Sequence, residues 1–519
     1  MFCQLPKENP ELVPTDCSTK IGEGAYGIVF RCATKSQFVV KCDKDVSDED
    51  GISYASLREW VICSTNRHYN IPRAIRVDMD KSRAVYPHYG ENIRGLQLTK
   101  NEKISITQQF IRAIAYAHCS LGVMNRDIKT DNILYDRDKG RCVVIDWGIG
   151  RHCSEEANVS GQMYTLWYRP PEVLLGSKQY GFPADVWAVG MILVELWLGE
   201  NIEGDSNIGQ LYGYFRLWGT PNPSDWPSIT TYNGWRSSFP QWKETWSSRE
   251  DVRTMKRQDP LVIDLIESCL HYDPEKRIKS RDLLHHPLLR NQLSSHIFVF
   301  PSLECRAASI PPLKDIMKGQ EDLTWEMRTI LYEWLEEVQV YRNFSCRALF
   351  IAYQICDKVL AKVPYHRKKL QLLGITCFML SSKMNDQYCL FPPECVRLAG
   401  RLFTNQECID EEKKVLEAVN MDLIDATPLL FIPKNEMKDV IPVLKKFACS
   451  NKYTSYTSHC IAMASRLIKD KVEEVSNPWT SVADIYKCAN EMDSNRSWEL
   501  NPMMVDVPDK PPLLDMITI

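Results

Sequence analysis

Asn125-Arg126-Asp127-Ile128-Lys129-Thr130-Asp131-Asn132 decides how the chain is read. A carboxylate, an ammonium two residues on and a carboxamide three beyond that are a set suited to moving a phosphoryl group. In that reading Asp127 takes the proton of an acceptor hydroxyl, Lys129 neutralises the phosphoryl group in flight, and Asn132 holds a Mg²⁺ ion. Fourteen residues further on, Asp146-Trp147-Gly148 follows the apolar run Val143-Val144-Ile145. Asp146, at the end of that strand-like run, would be the second Mg²⁺ ligand, holding the ion between the phosphates.

Moving outward towards the N-terminus, Gly22-Glu23-Gly24-Ala25-Tyr26-Gly27-Ile28-Val29 fits G-x-G-x-x-G-x-V. Glycines there let bare backbone approach a triphosphate. This makes Ile21, Gly22, Gly24, Gly27 and Val29 candidates for ATP binding. Lys41 ends the β-like run Phe38-Val39-Val40, twelve residues past Val29, where a strand lysine reaches the α- and β-phosphates. Glu59, in Ser56-Leu57-Arg58-Glu59 on a predicted helix, is its ion-pair partner. Towards the C-terminus, Pro170-Pro171-Glu172 closes the segment. Each match alone is weak: a lone strand lysine is usually a solvated edge, and Glu59 alone an exposed helix residue. Their order, each in the element its chemistry requires, carries the assignment.

Further motifs narrow the class. Tyr54-Ala55-Ser56-Leu57-Arg58-Glu59 is similar to P-S-T-A-I-R-E, and Thr165-Leu166-Trp167-Tyr168-Arg169-Pro170-Pro171-Glu172 to T-L-W-Y-R-x-P-E. Gly219-Thr220-Pro221 and Leu270-His271-Tyr272-Asp273-Pro274 extend the match. Residues 15–290 therefore resemble a cyclin-dependent protein kinase. The resemblance implies a bilobal fold that transfers the ATP γ-phosphate to Ser or Thr of proteins. It implies that Asp185 braces the catalytic loop, that Arg277 pairs with Glu172, and that Thr165 touches Asp127. Ser160 falls at the site of activating phosphorylation by another kinase, with Arg58, Arg126 and Arg151 as the arginines receiving the phosphate. Tyr26 matches an inhibitory phosphotyrosine, whereas Ala25 replaces its usual threonine neighbour.

Five positions depart from the family pattern. Asn125 replaces a histidine and Trp147 a phenylalanine. Pro87, in the hinge Tyr86-Pro87-His88-Tyr89, has no N–H, so an adenine-facing N–H is expected from Tyr89. Met163-Tyr164 replaces two valines in the loop that selects proline after the target residue, which leaves Ser/Thr-Pro preference open.

From Glu321 the pattern becomes helix after helix, with Met327, Ile330, Leu331, Trp334, Leu335 and Val338 at helical spacing. Any five-helix bundle shows such periodicity. Met327-Arg328-Thr329-Ile330-Leu331-Tyr332-Glu333-Trp334-Leu335, Leu380-Ser381-Ser382-Lys383 and Phe391-Pro392-Pro393-Glu394 make 321–424 similar to a cyclin box of the A or E type. The resemblance implies that Lys383 and Glu412 grip the kinase helix that carries Glu59. It also implies that Met327, Ile330, Leu331, Trp334 and Gln371, with Glu337, form a patch for substrates bearing R-x-L. Half of those apolar residues would ordinarily be core. The fold class expected is thus α/β plus all-α: a bilobal kinase over 15–290, a Pro- and Ser-containing linker over 291–320, a cyclin-box five-helix bundle over 321–424, a second cyclin-like helical fold over 425–500 and an irregular tail over 501–519.

Composition sets the outer bounds. At 519 residues with 44% hydrophobic content, the chain supports several cores. A net charge of -4 gives no footprint for nucleic acid or an anionic membrane. Met1 to Lys20 lacks the apolar run of a signal peptide, and the 19 cysteines contain no C-x-x-C pair. Free thiols in the nucleus or cytoplasm are expected, with neither secretion nor membrane insertion. The function expected is a cell-cycle-type serine/threonine kinase using ATP and Mg²⁺, acting on protein substrates and switched on in cis by its own cyclin domain. Two other readings stay open: a catalytically weak scaffold for cyclin and kinase partners, and a transcription-directed kinase of the same family.

Overall fold

The computed structural model describes residues 17–44, 49–153, 164–290, 300–301, 303, 307, 310, 312–313, 316–423, 427–432, 434–450, 452–469, 482–492 and 516–517. The N-terminal lobe is a five-stranded antiparallel sheet, β1 (Cys17–Glu23), β2 (Gly27–Cys32), β3 (Phe38–Asp43), β4 (Arg76–Asp78) and β5 (Arg83–Pro87), in the order β1-β2-β3-β5-β4. Register pairs Val29 with Lys41 and Lys41 with Ala84, so the lysine lies mid-sheet. Alternation along β3 buries Phe38 and Val40 on one face and leaves Lys41 on the other. Helix α1 (Tyr54–Thr65) crosses that second face, started by Ser53, whose hydroxyl accepts from the Ser56 N–H.

The second lobe is mainly helical. α2 (Lys100–Tyr116) opens with a Thr99–Glu102 capping box. α3 (Phe182–Leu198) is apolar nearly all round, as a central buried helix must be, and ends at Gly199 in the left-handed region. α4 (Asn207–Trp218), α5 (Glu250–Gln258) and α6 (Pro260–Cys269) surround it. Short strands β6 (Glu91–Asn92), β7 (Val123–Met124), β8 (Ile133–Asp136), β9 (Arg141–Val144) and β10 (Arg151–His152) frame the loops between the lobes. Glu172, at the start of the short helix Pro171–Leu174, takes both ends of the Arg277 guanidinium at 3.0 Å, and both residues are buried.

The remaining chain is a bundle of α7 (Trp325–Arg342), α8 (Cys346–Leu360), α9 (Leu370–Asn385), α10 (Pro392–Leu398) and α11 (Asn405–Ala418). α9 is its axis: every residue but Gln371 is buried. α12 (Lys434–Ala448), α13 (Ser458–Ile468) and α14 (Val482–Met492) follow, three helices that pack together over the stretch expected to form a second helical unit. Among the described residues no helix is long and apolar enough to cross a membrane.

The described parts of 291–320 do not run free through solvent. Leu303, Ala307 and Ile316 are buried, and Leu303 lies against Gly122 of the kinase-like half. In the tail, Met516–Ile517 pairs antiparallel with Phe300–Pro301.

One polar cluster holds the bundle together. Arg328, fully buried on α7, donates to both carboxylate oxygens of Asp357 at 2.8 and 2.7 Å and to the Ala448 carbonyl at 3.0 Å. Its guanidinium stacks on Tyr332, whose hydroxyl donates to Asp357 at 2.7 Å. This ties α7 to α8 and to the end of α12. Removing one partner leaves a buried charge unpaired, so Arg328→Met is expected to destabilise the bundle by about 3–5 kcal/mol. Chemical denaturation followed by helical circular dichroism checks this, with Trp325→Leu on the same helix as a milder control.

Candidate active site

Four segments converge on one cleft. β3 supplies Lys41, α1 supplies Glu59, the 125–132 loop supplies Asp127, Lys129 and Asn132, and the turn after β9 supplies Asp146. Lys41 Nζ lies 2.5 Å from Glu59 Oε2 and 3.1 Å from Asp146 Oδ1. Burial opposes the ammonium, but Glu59 and then Asp146 hold its pKa above the ordinary lysine range. Burial pushes Glu59 up, against the pull of Lys41. α1 comes close because residue 148 has no side chain: a Cβ on Gly148 would lie 3.3 Å from the Ala55 carbonyl and 3.6 Å from the Glu59 carboxylate.

Asp127 is the centre of the catalytic loop. Its carboxylate accepts from Lys129 Nζ at 2.7 Å, Thr165 Oγ1 at 2.8 Å and Asn132 Nδ2 at 3.0 Å. Burial raises its pKa above the ordinary aspartate value, with Lys129 and Thr165 opposing. Asp146 is also penalised by burial, yet Lys41 and then Lys129 bring its pKa below the ordinary value. One carboxylate is thus biased towards taking a proton and the other towards staying ionised. An ionised Asp146 beside the carboxamide of Asn132 is a hard oxygen donor set, and it fits a divalent cation of the Mg²⁺ kind.

Backbone strain gathers at the same place. Arg126 and Asp146 have positive φ, 68° and 60°, and Tyr164 has 67°. Asp185, fully buried, pins this backbone. It accepts from the N–H groups of Asn125 at 2.7 Å and Arg126 at 3.1 Å and from the Tyr164 hydroxyl at 2.8 Å, and His118 Nε2 lies 3.0 Å away. Asn125 uses both ends of its amide, accepting from Asp127 N at 3.0 Å and donating to the Asp146 carbonyl at 3.2 Å. Trp147 is buried with its indole N–H donating to the Val144 carbonyl at 2.9 Å, so the larger ring is accommodated.

The nucleotide side is less polar. Ile21 is exposed at the sheet edge, while Gly22 and Val29 face one another across β1 and β2. Gly27 is buried against β3, and Gly24 lies over the Asp146 carboxylate. The Tyr26 ring is half-buried, edge-on to Tyr54 of α1, and burial lifts its pKa to about 12. In the hinge, the Tyr89 side chain turns inward, its hydroxyl accepting from Arg73 N at 3.0 Å. Tyr86, which the sequence reading did not single out as a site residue, is buried beside Glu59 and Cys63 at the back of the cleft.

Arg58, Arg126 and Arg151 come together, all buried. Burial, then Arg126 and Arg151, push the Arg58 pKa down to about 9. Arg126 donates to the Ile149 carbonyl at 2.7 Å. Arg58 donates to the Lys383 carbonyl at 2.8 Å and Arg151 to the Asn385 carbonyl at 2.6 Å, both at the C-terminal end of α9. The negative end of that helix thus faces the cations. Ser160 lies outside the described residues.

Lys383 and Glu412, 2.8 Å apart and without exposure, hold the entry to α1. Lys383 Nζ donates to the Ile52 carbonyl at 2.7 Å, and Glu412 Oε2 accepts from Ile52 N at 3.0 Å. Gly51 has φ +67°, and a Cβ there would lie 2.4 Å from Glu412 Oε2. Only glycine fits this approach, and the Asp50-Gly51 pair was its unread signal in the sequence. On α7, Ile330 is 64% exposed, Glu337 is exposed, Met327 and Trp334 are half-buried, and Leu331 is core, packed on Gly374; Gln371, on α9, is half-buried.

A protein kinase domain model matches residues 16–289, more than half of the chain, and a model of the cyclin N-terminal domain matches residues 299–424. The chain belongs to the protein kinase family and carries a cyclin N-terminal domain fused behind the kinase domain. It is a cyclin-fused protein kinase, a class that uses ATP and a divalent metal and acts on proteins, with a regulatory domain on the same chain. The cyclin match begins at 299, inside the stretch read as linker.

A proton-accepting role for Asp127 predicts that turnover falls as pH drops through its raised pKa, because the protonated carboxyl cannot take a proton. Lys129→Met removes a group that lowers that pKa, so the acid limb of the turnover–pH profile moves to higher pH. Asp127→Asn lowers turnover by roughly 10²–10⁴-fold. Steady-state phosphorylation assays across pH test both.

Proposed function

We propose that the chain is a cyclin-dependent-type serine/threonine kinase that its own cyclin domain keeps assembled in cis. The observation carrying this reading is the buried Lys383–Glu412 pair clasped on Ile52, at the entry to the helix whose Glu59 meets Lys41. That ion pair is the part of a kinase site a regulator moves into or out of place. Tethering raises the effective concentration to the order of millimolar, so the two domains stay docked.

In this reading Asp127 receives the hydroxyl proton, Thr165 and Asn132 orient Asp127, and Lys129 faces the transferring group. Lys41 anchors the phosphates, with the glycine loop above and the Tyr89 main chain towards adenine. Asn132 and Asp146 would hold Mg²⁺, which neutralises charge on the phosphates when bound. Asp185 and the Glu172–Arg277 pair keep this backbone in place.

Preference for Ser/Thr-Pro is supported at Tyr164. Its left-handed backbone directs the carbonyl to Arg169 Nη2, 2.8 Å away. With that acceptor taken, a residue lacking an N–H loses nothing by following the target. The Arg58, Arg126 and Arg151 cluster supports receipt of a phosphate at Ser160, placed by an activating kinase. Tyr26 remains a second, inhibitory phosphosite. The A/E-type patch is proposed to recruit substrates bearing R-x-L through Met327, Ile330, Trp334, Gln371 and Glu337, with Leu331 removed from it because its side chain is buried beneath them. A cell-cycle role in the nucleus or cytoplasm follows from the same assignment.

Phosphate incorporation from Mg²⁺-ATP into a histone-type Ser/Thr-Pro substrate tests this. The full chain should be active without added cyclin, and Asp127→Asn inactive. Lys383→Ala strands Glu412 in the interface, an effect of about 3–5 kcal/mol for a broken buried pair, and activity should fall at least tenfold. Full activity in Lys383→Ala, or in a chain ending at Arg290, would overturn activation in cis.

A further inference from the structure

Lys41 and Asp43 lie two residues apart on β3 and so point to the same face. Lys41 meets Glu59. Asp43 meets the N-terminal end of the same helix: its Oδ2 accepts from Ser53 Oγ at 2.6 Å and from Ser56 Oγ at 2.7 Å. Ser53, Ser56 and Glu59 follow one another at three-residue spacing, which puts them along one side of α1. The helix is therefore fastened to β3 at two places about 9 Å apart along its axis. A single ion pair leaves a helix free to pivot; a second bond fixes its rotation.

The upper fastening adjoins the cyclin contact. Ser53 follows Ile52, the residue whose carbonyl meets Lys383 and whose N–H meets Glu412. Ser53 also caps α1, its Oγ accepting from Ser56 N at 3.1 Å. One hydroxyl thus starts the helix, binds β3 and stands beside the residue the cyclin domain holds. We infer that Asp43 is a positioning residue for phosphoryl transfer: it carries the cyclin domain's hold on Ile52 through Ser53 and Ser56 to the strand bearing Lys41. Asp43 touches no reacting atom and acts through the Lys41–Glu59 geometry. The inference rests on the kinase reading and on the proposed cis assembly.

The test is steady-state kinetics on the full chain with ATP varied. Asp43→Ala is expected to lower kcat about tenfold or more, the scale of losing hydrogen bonds to a charged group. KM for ATP should stay within about threefold, since the loss falls on the transition state. Asp43→Asn keeps an oxygen that can accept both hydroxyls and should retain roughly half the activity or more. Ser53→Ala/Ser56→Ala should match Asp43→Ala, and combining all three substitutions should cost no more than either alone. Unchanged kcat, a loss confined to KM, failure of Asp43→Asn to rescue, or additive losses would each overturn the inference. Should Asp43→Ala not fold, the serine pair, which leaves β3 untouched, decides by the same readings. An inactive parent chain would instead count against the kinase reading itself.

Discussion

A buried ion pair is tolerated only when its remaining donors and acceptors are used, and Lys383 with Glu412 meets that condition by borrowing from the kinase domain. The Lys383 ammonium has the Glu412 carboxylate and the Ile52 carbonyl, with Asp50 O at 3.4 Å; the second Glu412 oxygen has the Ile52 N–H. Separated from residues 50–52, the pair would keep its charges but lose these partners. The docked state therefore completes the polar interior of the cyclin domain. The helix held at its entry by that clasp is the one whose Glu59 meets Lys41, which seats over Gly148 and which packs on α9.

The second constraint is strain. Three non-glycine residues, Arg126, Asp146 and Tyr164, have left-handed backbone beside the reacting groups. Such conformations cost of order 1–3 kcal/mol each and persist only where the surroundings over-determine them. Asp185 does so with four polar neighbours, and Asn125 joins the Asp127 loop to the Asp146 turn with a neutral amide. Asn125 thus keeps a link between Asp127 and Asp146 that does not titrate.

That these cleft residues would come together was legible because the chemistry proposed for them fixes both residue type and spacing. Asp127, Lys129, Asn132 and Asp146 lie close in sequence, and Lys41 and Glu59 sit on elements with strong local signals. What escaped was satisfied by distant partners. Arg328 reads as a charged helix residue until Asp357, Ala448 and Tyr332 are brought around it, and Asp43 reads as the polar end of a strand until α1 crosses it. Tyr86 in an apolar strand gives no hint that it will back the cleft. Leu331 shows the limit of helical spacing as evidence, since the same periodicity serves core and surface and only Gly374 opposite decided its burial. The linker expected over 291–320 rests on its prolines and serines, which do not report that Leu303 would find Gly122.

The arginine cluster shows why fusion and phosphorylation are not interchangeable. Three guanidinium groups buried together repel one another; burial first, and then Arg126 and Arg151, push the Arg58 pKa down. In the docked chain Arg58 and Arg151 already have carbonyl partners from the end of α9, so part of the repulsion is offset before any phosphate is added. Carbonyl dipoles, however, bring no net charge. Asp386, next along the chain, is a carboxyl that acts on this cluster; burial raises its pKa, with a Ser345 hydrogen bond and then Arg151 and Arg58 opposing. A phosphate would bring nearly two negative charges to the same place. Docking therefore relieves the geometry of the cluster while leaving its charge largely uncompensated, so cyclin contact and phosphorylation act on different terms of one electrostatic balance.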